Sequence, residues 1–328
     1  MLLEKPRPVD ENPLKLGELS LPAPGAGHIR VRVRACGICH TDLHIVEGDL
    51  KLPKLPVVPG HQVVGTVDEV GGEVRDFRVG DRVGIPWLYS TCGECIYCLK
   101  GLENLCERAQ FTGYHHDGGY AEAMIAPAAF AYGLPENFSD LEAAPLLCAG
   151  IIGYRALKLS NLQAGERLGL YGFGASAHIV IQLARYMGCE VCVFTRAEAH
   201  RQLARQLGAA WAGAAGEIPS PPLDAAILFA PAGKLVPEAL RALRRGGTLA
   251  LAGITMSALP EMEYQLLYQE RILRSVANST REDARSLLRL AAEIPVRTEI
   301  ETFQLPEANR ALQNLKSSKI HGAGVLVI

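Results

Sequence analysis

The chain has 328 residues, 48% of them hydrophobic and 21% charged, and its formal net charge is −2. That length exceeds what one hydrophobic core usually organises, so two domains are expected, and the near balance of charge excludes the basic footprint of a nucleic-acid or anionic-membrane binder. No apolar run reaches the roughly 18 residues of a membrane-spanning helix, and the opening MLLEKPRPVDENP has no apolar stretch of the secretory kind, which points to the cytoplasm.

Residues 28–34 (HIRVRVR) alternate apolar and charged side chains, the pattern of a half-buried strand. The window 35–44 (ACGICHTDLH) then crowds two cysteines, two histidines and an aspartate together. Residues 57–83 are rich in valine and glycine, with turns expected at Gly71-Gly72 and Gly80-Asp81, and read as short strands of a β-rich domain. No long helical pattern precedes about residue 140. From Arg167 the texture changes. RLGLYGFG is a strand entering a glycine turn, SAHIVIQLARYMG a helix, CEVCVFT a strand and EAHRQLARQLG a helix. LDAAILFA, LVPEALRALRRG and GTLALAGI continue the alternation, which predicts βαβ units and a parallel sheet. STREDARSLLRLAAE opens a further helix, with Thr280 as N-cap and Asp283 three residues on. The terminal GAGVLVI is a strand beyond the α/β block, expected to rejoin the first domain.

Nine cysteines in a reducing compartment favour metal ligation or catalysis over disulfides. Four of them, Cys92, Cys95, Cys98 and Cys106, form the pattern C-x2-C-x2-C-x7-C. Four thiolates this close can surround one tetrahedral zinc ion, and with every coordination position filled by protein such an ion is structural. An iron–sulfur cluster is the competing reading, although the spacing matches neither ferredoxin pattern and no proline follows the last cysteine.

Gly172, Gly174 and Ala177 form G-x-G-x-x-A between a predicted strand and a predicted helix. The first glycine permits the tight turn, the second lets a pyrophosphate approach the backbone, and the small third residue allows close helix packing. The helix N-terminus then offers free N–H groups to the phosphates. The second strand ends in Thr195 and Arg196, where an NAD-specific site usually carries an acid for the ribose hydroxyls. Arg196, with Arg201 in the next helix, suits a 2′-phosphate instead, so the charges favour NADP, with NAD as the alternative.

Taken in order, CHTDLH at 39–44, GHQ at 60–62, the four-cysteine cluster, LCAG at 147–150 and the glycine turn resemble the zinc-dependent medium-chain alcohol dehydrogenases along essentially the whole chain. TGYHHDGGYAE and PLLCAGIIGYRALK are most similar to the yeast-like and bacterial branch. The resemblance implies an α/β fold. A doubly wound Rossmann sheet would occupy 152–281, and a β-rich GroES-like catalytic domain 1–151, with a structural zinc lobe at 92–106. Residues 282–328 would return to the catalytic domain.

The same resemblance implies a catalytic zinc held by Cys39, His61 and Cys148, hence two zinc ions per chain. Two thiolates and a neutral imidazole roughly cancel the charge of the dication and leave one position for water or substrate. By resemblance, Thr41 takes the alcohol proton and passes it by way of the coenzyme ribose to His44. His40 contacts the pyrophosphate, Asp42 orients His61, and Trp87 lines the substrate pocket. Cys36, despite its C-x2-C spacing from Cys39, reads as a packed thiol at a strand end.

Three departures stand out. Gln62 replaces a glutamate that usually follows the histidine ligand, Ile152 replaces a threonine, and Val46 and Leu50 stand where yeast-like members carry bulky aromatics. The last change implies room for larger substrates. The expected partners are a small alcohol or aldehyde and further copies of the chain, as a dimer or tetramer, with no nucleic acid and no membrane. A non-catalytic, zinc-stabilised NAD(P)-binding redox sensor is the contrasting reading. A sensor has no need of the relay residues Thr41 and His44.

Overall fold

The alternation at residues 28–34 belongs to a longer strand, His28–Ile38, in the computed structural model, which describes residues 1–217 and 220–328. Its first half alternates between buried and accessible, and its last four residues, Ala35–Ile38, are all buried. Three strands run antiparallel to it: Val63–Val70, Ala123–Pro127 and, from the far end of the chain, Ala323–Val327. The terminal strand therefore closes back onto the first domain, with Gly324 opposite Ile38. This sheet runs in the order 300–304, 323–327, 28–38, 63–70, 82–85, 132–133. Its aliphatic face packs into one core with Val31, Ile45, Val67, Ile85 and Leu326.

The chain separates into a unit of Met1–Cys148 with Ser279–Ile328 and a unit of Ala149–Asn278. The limits drawn from the sequence, 151 and 281, fall three residues later in each case (151 − 148 and 281 − 278).

Among the described residues, the second unit holds a six-stranded parallel sheet. Numbered by their order along the chain, its strands (167–171, 190–194, 211–213, 223–228, 243–251, 272–275) lie in the spatial order 3-2-1-4-5-6. That is the doubly wound dinucleotide-binding topology, whose order reverses beside the first strand and leaves a crevice at its carboxyl end. The segment LVPEALRALRRG is helical only over Val236–Ala242. Leu243–Gly246 already belong to the following strand, whose ladder hydrogen bonds outcompete the helical propensity of Leu-Arg-Arg. Thr280 caps the helix Arg281–Glu293 through a reciprocal box with Asp283, as its spacing predicts.

The sequence shows no long helical pattern before about residue 140, and the structure adds a short α-helix there, at His40–Glu47. Among the described residues no helix is long and apolar enough to cross a membrane.

Candidate active site and coenzyme turn

Strand register explains why two residues 22 positions apart meet. Cys36 lies opposite Val63 across the antiparallel pair, and Gly37 N donates to Gln62 O at 2.9 Å, so the same register sets His61 opposite Ile38, next to Cys39. Gly60, at φ +99°, makes the return possible. A Cβ there would lie 2.4 Å from the Tyr120 ring and 2.9 Å from the Cys36 sulfur, so only glycine fits. Cys36 itself is fully buried, and burial pushes its thiol well up, as suits a packing residue.

Cys39 is the N-cap of the helix His40–Glu47. Its sulfur accepts from Thr41 N at 3.4 Å, while Asp42 reaches back to Cys39 N at 2.9 Å. Asp42 is fully buried and serves three donors: Cys39 N, Gly60 N at 3.1 Å and the His61 ring at 2.9 Å. A carboxylate accepts only, so His61 donates through Nδ1 and turns Nε2 the other way. Nε2 lies 3.3 Å from the Cys148 sulfur, which is 4.0 Å from that of Cys39. The three donor atoms all lie within 4.8 Å of one another. A tetrahedral zinc site, with bonds of about 2.3 Å to sulfur and about 2.0 Å to nitrogen, sets its ligands roughly 3.5–3.8 Å apart. The donor set therefore fits one such ion.

Electrostatics favour a cation there. Hydrogen bonding with Cys148 and then His61 holds Cys39 well below the ordinary thiol range, against its burial. Burial depresses His61, but Asp42 and Cys39 beside it lift it to about 10, so this buried cluster carries negative charge that only a positive ion or a proton can balance.

Thr41 is buried, with its hydroxyl 3.6 Å from the Cys39 sulfur. His44 stands three residues on, on the same face of the helix, with its Nδ1 2.7 Å from Asp49. His40 is exposed at the helix start. Trp87 meets the His61 ring edge-on with centroids 5.0 Å apart, stacks on Phe111 at 4.7 Å, and has Tyr114 at 6.0 Å. Phe111, Tyr114 and Asp49 were not among the residues singled out from sequence. The aromatic run FTGYHH was the available signal for the first two.

In the lobe, the Cys92, Cys95, Cys98 and Cys106 sulfurs also lie within 4.8 Å of one another, with Cys92 to Cys98 at 3.8 Å and Cys106 to Cys92 at 3.5 Å. This spacing fits a single ion. In a four-iron cluster each thiolate would bond a different iron and the sulfurs would be spread apart. Backbone N–H groups of Glu94 and Cys95 hold the Cys92 thiol down at about 6.

The glycine turn follows the strand Arg167–Tyr171 and opens the helix Ala175–Tyr186. Gly172 has φ +91°, and a Cβ would approach Ala230 N to 3.0 Å. At Gly174 a Cβ would stand in open space beside the helix start, where a phosphate can reach the backbone. Ala177 is fully buried. Thr195 is buried at the end of the next strand, and Arg196 after it is exposed. Arg201 is partly committed: its Nε donates to Thr195 O at 2.9 Å, and it pairs with Glu198 at 3.5 Å.

Comparison with known proteins shows the family. Residues 25–136 match the alcohol dehydrogenase GroES-like domain, and residues 177–293 match the zinc-binding dehydrogenase domain. The chain is 51% identical to a protein named probable alcohol dehydrogenase AdhA from Mycobacterium tuberculosis, over 99% of this chain and 96% of that one. It is 40% identical to an alcohol dehydrogenase of Geobacillus stearothermophilus, over 95% of each. The solved structure of a cinnamyl alcohol dehydrogenase from Sorghum bicolor superposes with a TM-score of 0.89 at 27% identity, covering 98% of this chain and 96% of that one.

Proposed function

Because the chain belongs to the zinc-dependent medium-chain alcohol dehydrogenases, we propose that it interconverts a primary alcohol and its aldehyde, with Cys39, His61 and Cys148 as ligands of a catalytic zinc ion. One observation carries this reading. Three donor atoms from separate stretches of chain converge within 4.8 Å, and a buried carboxylate fixes the tautomer of the histidine among them. Three protein donors leave a fourth tetrahedral position for substrate, the arrangement of catalytic rather than structural zinc.

When bound, the metal supplies Lewis acidity toward the substrate oxygen and the nicotinamide accepts the hydride: alcohol + NAD(P)+ gives aldehyde + NAD(P)H + H+. The chain's own residues handle the proton. The Thr41 hydroxyl, beside Cys39, can accept it and donate its own onward. His44, one turn further along the helix, receives it at the protein surface. Cys92, Cys95, Cys98 and Cys106 hold a second, structural ion.

Exposed Arg196 supports a preference for NADP over NAD. The wall of Trp87, Phe111 and Tyr114 beside His61 supports bulky or aromatic alcohols, in line with the cinnamyl alcohol dehydrogenase likeness. The outer strand of the parallel sheet, Ile272–Ser275, exposes Ile272 and a backbone edge that no strand among the described residues pairs, which supports self-association into a dimer or tetramer. Thiolate ligands on this scale fit a reducing cytoplasm.

Metal analysis together with a screen of ethanol, benzyl and cinnamyl alcohols against both coenzymes tests the reading. About two zinc ions per chain, with turnover favouring NADP and the aromatic alcohols, is the expected result. One zinc and no turnover would instead favour the redox sensor.

A further inference from the structure

His44 has a partner that its sequence neighbourhood does not announce. The helix ends at Gly48, whose φ of +85° is left-handed, and both Gly48 N and Asp49 N donate to His44 O, at 3.1 and 2.9 Å. The chain thus folds back over the last turn, and the Asp49 carboxylate comes to lie 2.7 Å from His44 Nδ1. A carboxylate offers only acceptor atoms, so Nδ1 carries the hydrogen and Nε2 carries the lone pair. The opposite tautomer would present an N–H where a proton has to be received.

We propose that Asp49 is a positioning residue for proton release: it holds His44 in the Nδ1–H tautomer and faces the imidazolium when the proton arrives at Nε2. The proposal rests on the reading of His44 as the outer end of the relay. No atom of Asp49 needs to touch substrate or coenzyme. Its side chain is 54% exposed and that of His44 18%, so the pair stands at the solvent boundary, where a proton can leave. The other charges packed around this turn are already engaged. On the same helix, Glu47 accepts from Val9 N at 2.9 Å and from Lys316 at 2.7 Å. Lys316, on the helix Ala308–Lys316, lies 3.9 Å from Asp10 on the turn Val9–Glu11. Asp49 is thus the carboxylate bonded to the His44 ring, while Lys316, paired with Glu47 and Asp10, faces Asp49 only as a through-space charge.

The test combines nitrogen-15 NMR of histidine-labelled zinc protein with steady-state kinetics on Asp49→Ala, Asp49→Asn and His44→Ala. In the wild type, His44 should show the Nδ1–H signature. Asp49→Ala should shift it toward a tautomer mixture and lower kcat by about tenfold, with the KM for alcohol unchanged. Asp49→Asn, whose side-chain oxygen can still accept from Nδ1–H, should retain the tautomer and much of kcat. The proposal is overturned if Asp49→Ala leaves both the tautomer and kcat at wild-type values while His44→Ala alters the pH–rate profile. If His44→Ala leaves that profile unchanged, the relay reading fails first and takes the catalytic part of the proposal with it.

Discussion

Asp42 Oδ1 lies 2.9 Å from His61 Nδ1, with both side chains wholly shielded from solvent. The same carboxylate caps the helix that carries Thr41 and His44. One buried anion therefore ties His61 to the helix His40–Glu47. Asp42→Asn retains the volume but replaces one acceptor oxygen with an NH2, which must face an N–H from Cys39, Gly60 or His61. Zinc affinity at the three-donor site should fall 10- to 100-fold, roughly the scale of lost outer partners at metal sites. Competition with a chromophoric chelator measures it, and an unchanged dissociation constant would remove Asp42 from the site.

The two clusters should separate by function. Cys39→Ser should abolish turnover while the 149–278 unit still binds coenzyme, because Cys39 lies outside that unit. Cys98→Ala should reduce zinc from two ions to one and mainly lower thermal stability, since the lobe sulfurs organise their own loop. Zinc content, coenzyme fluorescence titration and melting curves of the two variants check the division. Loss of all activity with full thermal stability in Cys98→Ala would contradict it.

Coenzyme choice should rest on Arg196 more than on Arg201, whose guanidinium already serves Thr195 O and Glu198. Arg196→Ala should raise the KM for NADP by about tenfold, the order of one charge-assisted contact, and leave that for NAD nearly unchanged. Equal effects on both coenzymes would mean that Arg196 does not meet a 2′-phosphate.

Much of this was legible in the sequence for physical reasons. The alternation of the parallel sheet and the Thr280–Asp283 capping box are local patterns, and local patterns survive into the fold. The helix His40–Glu47 was not legible, because it is short and its cap is a cysteine instead of serine, threonine, aspartate or asparagine. Asp49 was hidden for a related reason: its contact with His44 depends on the left-handed turn at Gly48, which brings positions five apart together. Cys148 could not be paired with Cys39 by spacing at all. It entered through family resemblance, and tertiary packing brings the two sulfurs together.

Gln62 follows His61, is almost fully buried, and packs where a Cβ on Gly37 would stand 2.9 Å from its amide. By the family resemblance a glutamate usually follows the histidine ligand, and a neutral amide here leaves one negative charge fewer next to His61 in the chain. Gln62→Glu should make the bound zinc less electrophilic and speed exchange of its fourth ligand. Cobalt-substituted exchange kinetics and kcat check this, and identical values in both proteins would dismiss the charge difference.

His178 follows Ala177 in the helix behind the glycine turn. It is fully buried, and neither ring nitrogen has a hydrogen-bond partner among the described residues. Burial pulls its pKa down to about 4; the carbonyls of Gly174 and Ala175 pull weakly the other way without forming a hydrogen bond. With the folded value depressed below an unfolded value of about 6.5, the unfolded chain binds the extra proton first as pH falls. Stability is thus whole above about pH 6.5 and is lost as pH drops toward 4, by roughly 2 kcal/mol from this residue at pH 5. His178→Leu, close in volume and with no polar atom to leave unpaired, should flatten that part of the pH dependence and raise stability at pH 5 relative to wild type. Urea unfolding of both proteins at pH 5 and 7.5, with zinc in excess, measures the difference, and parallel losses in the two would show that His178 finds a partner on protonation.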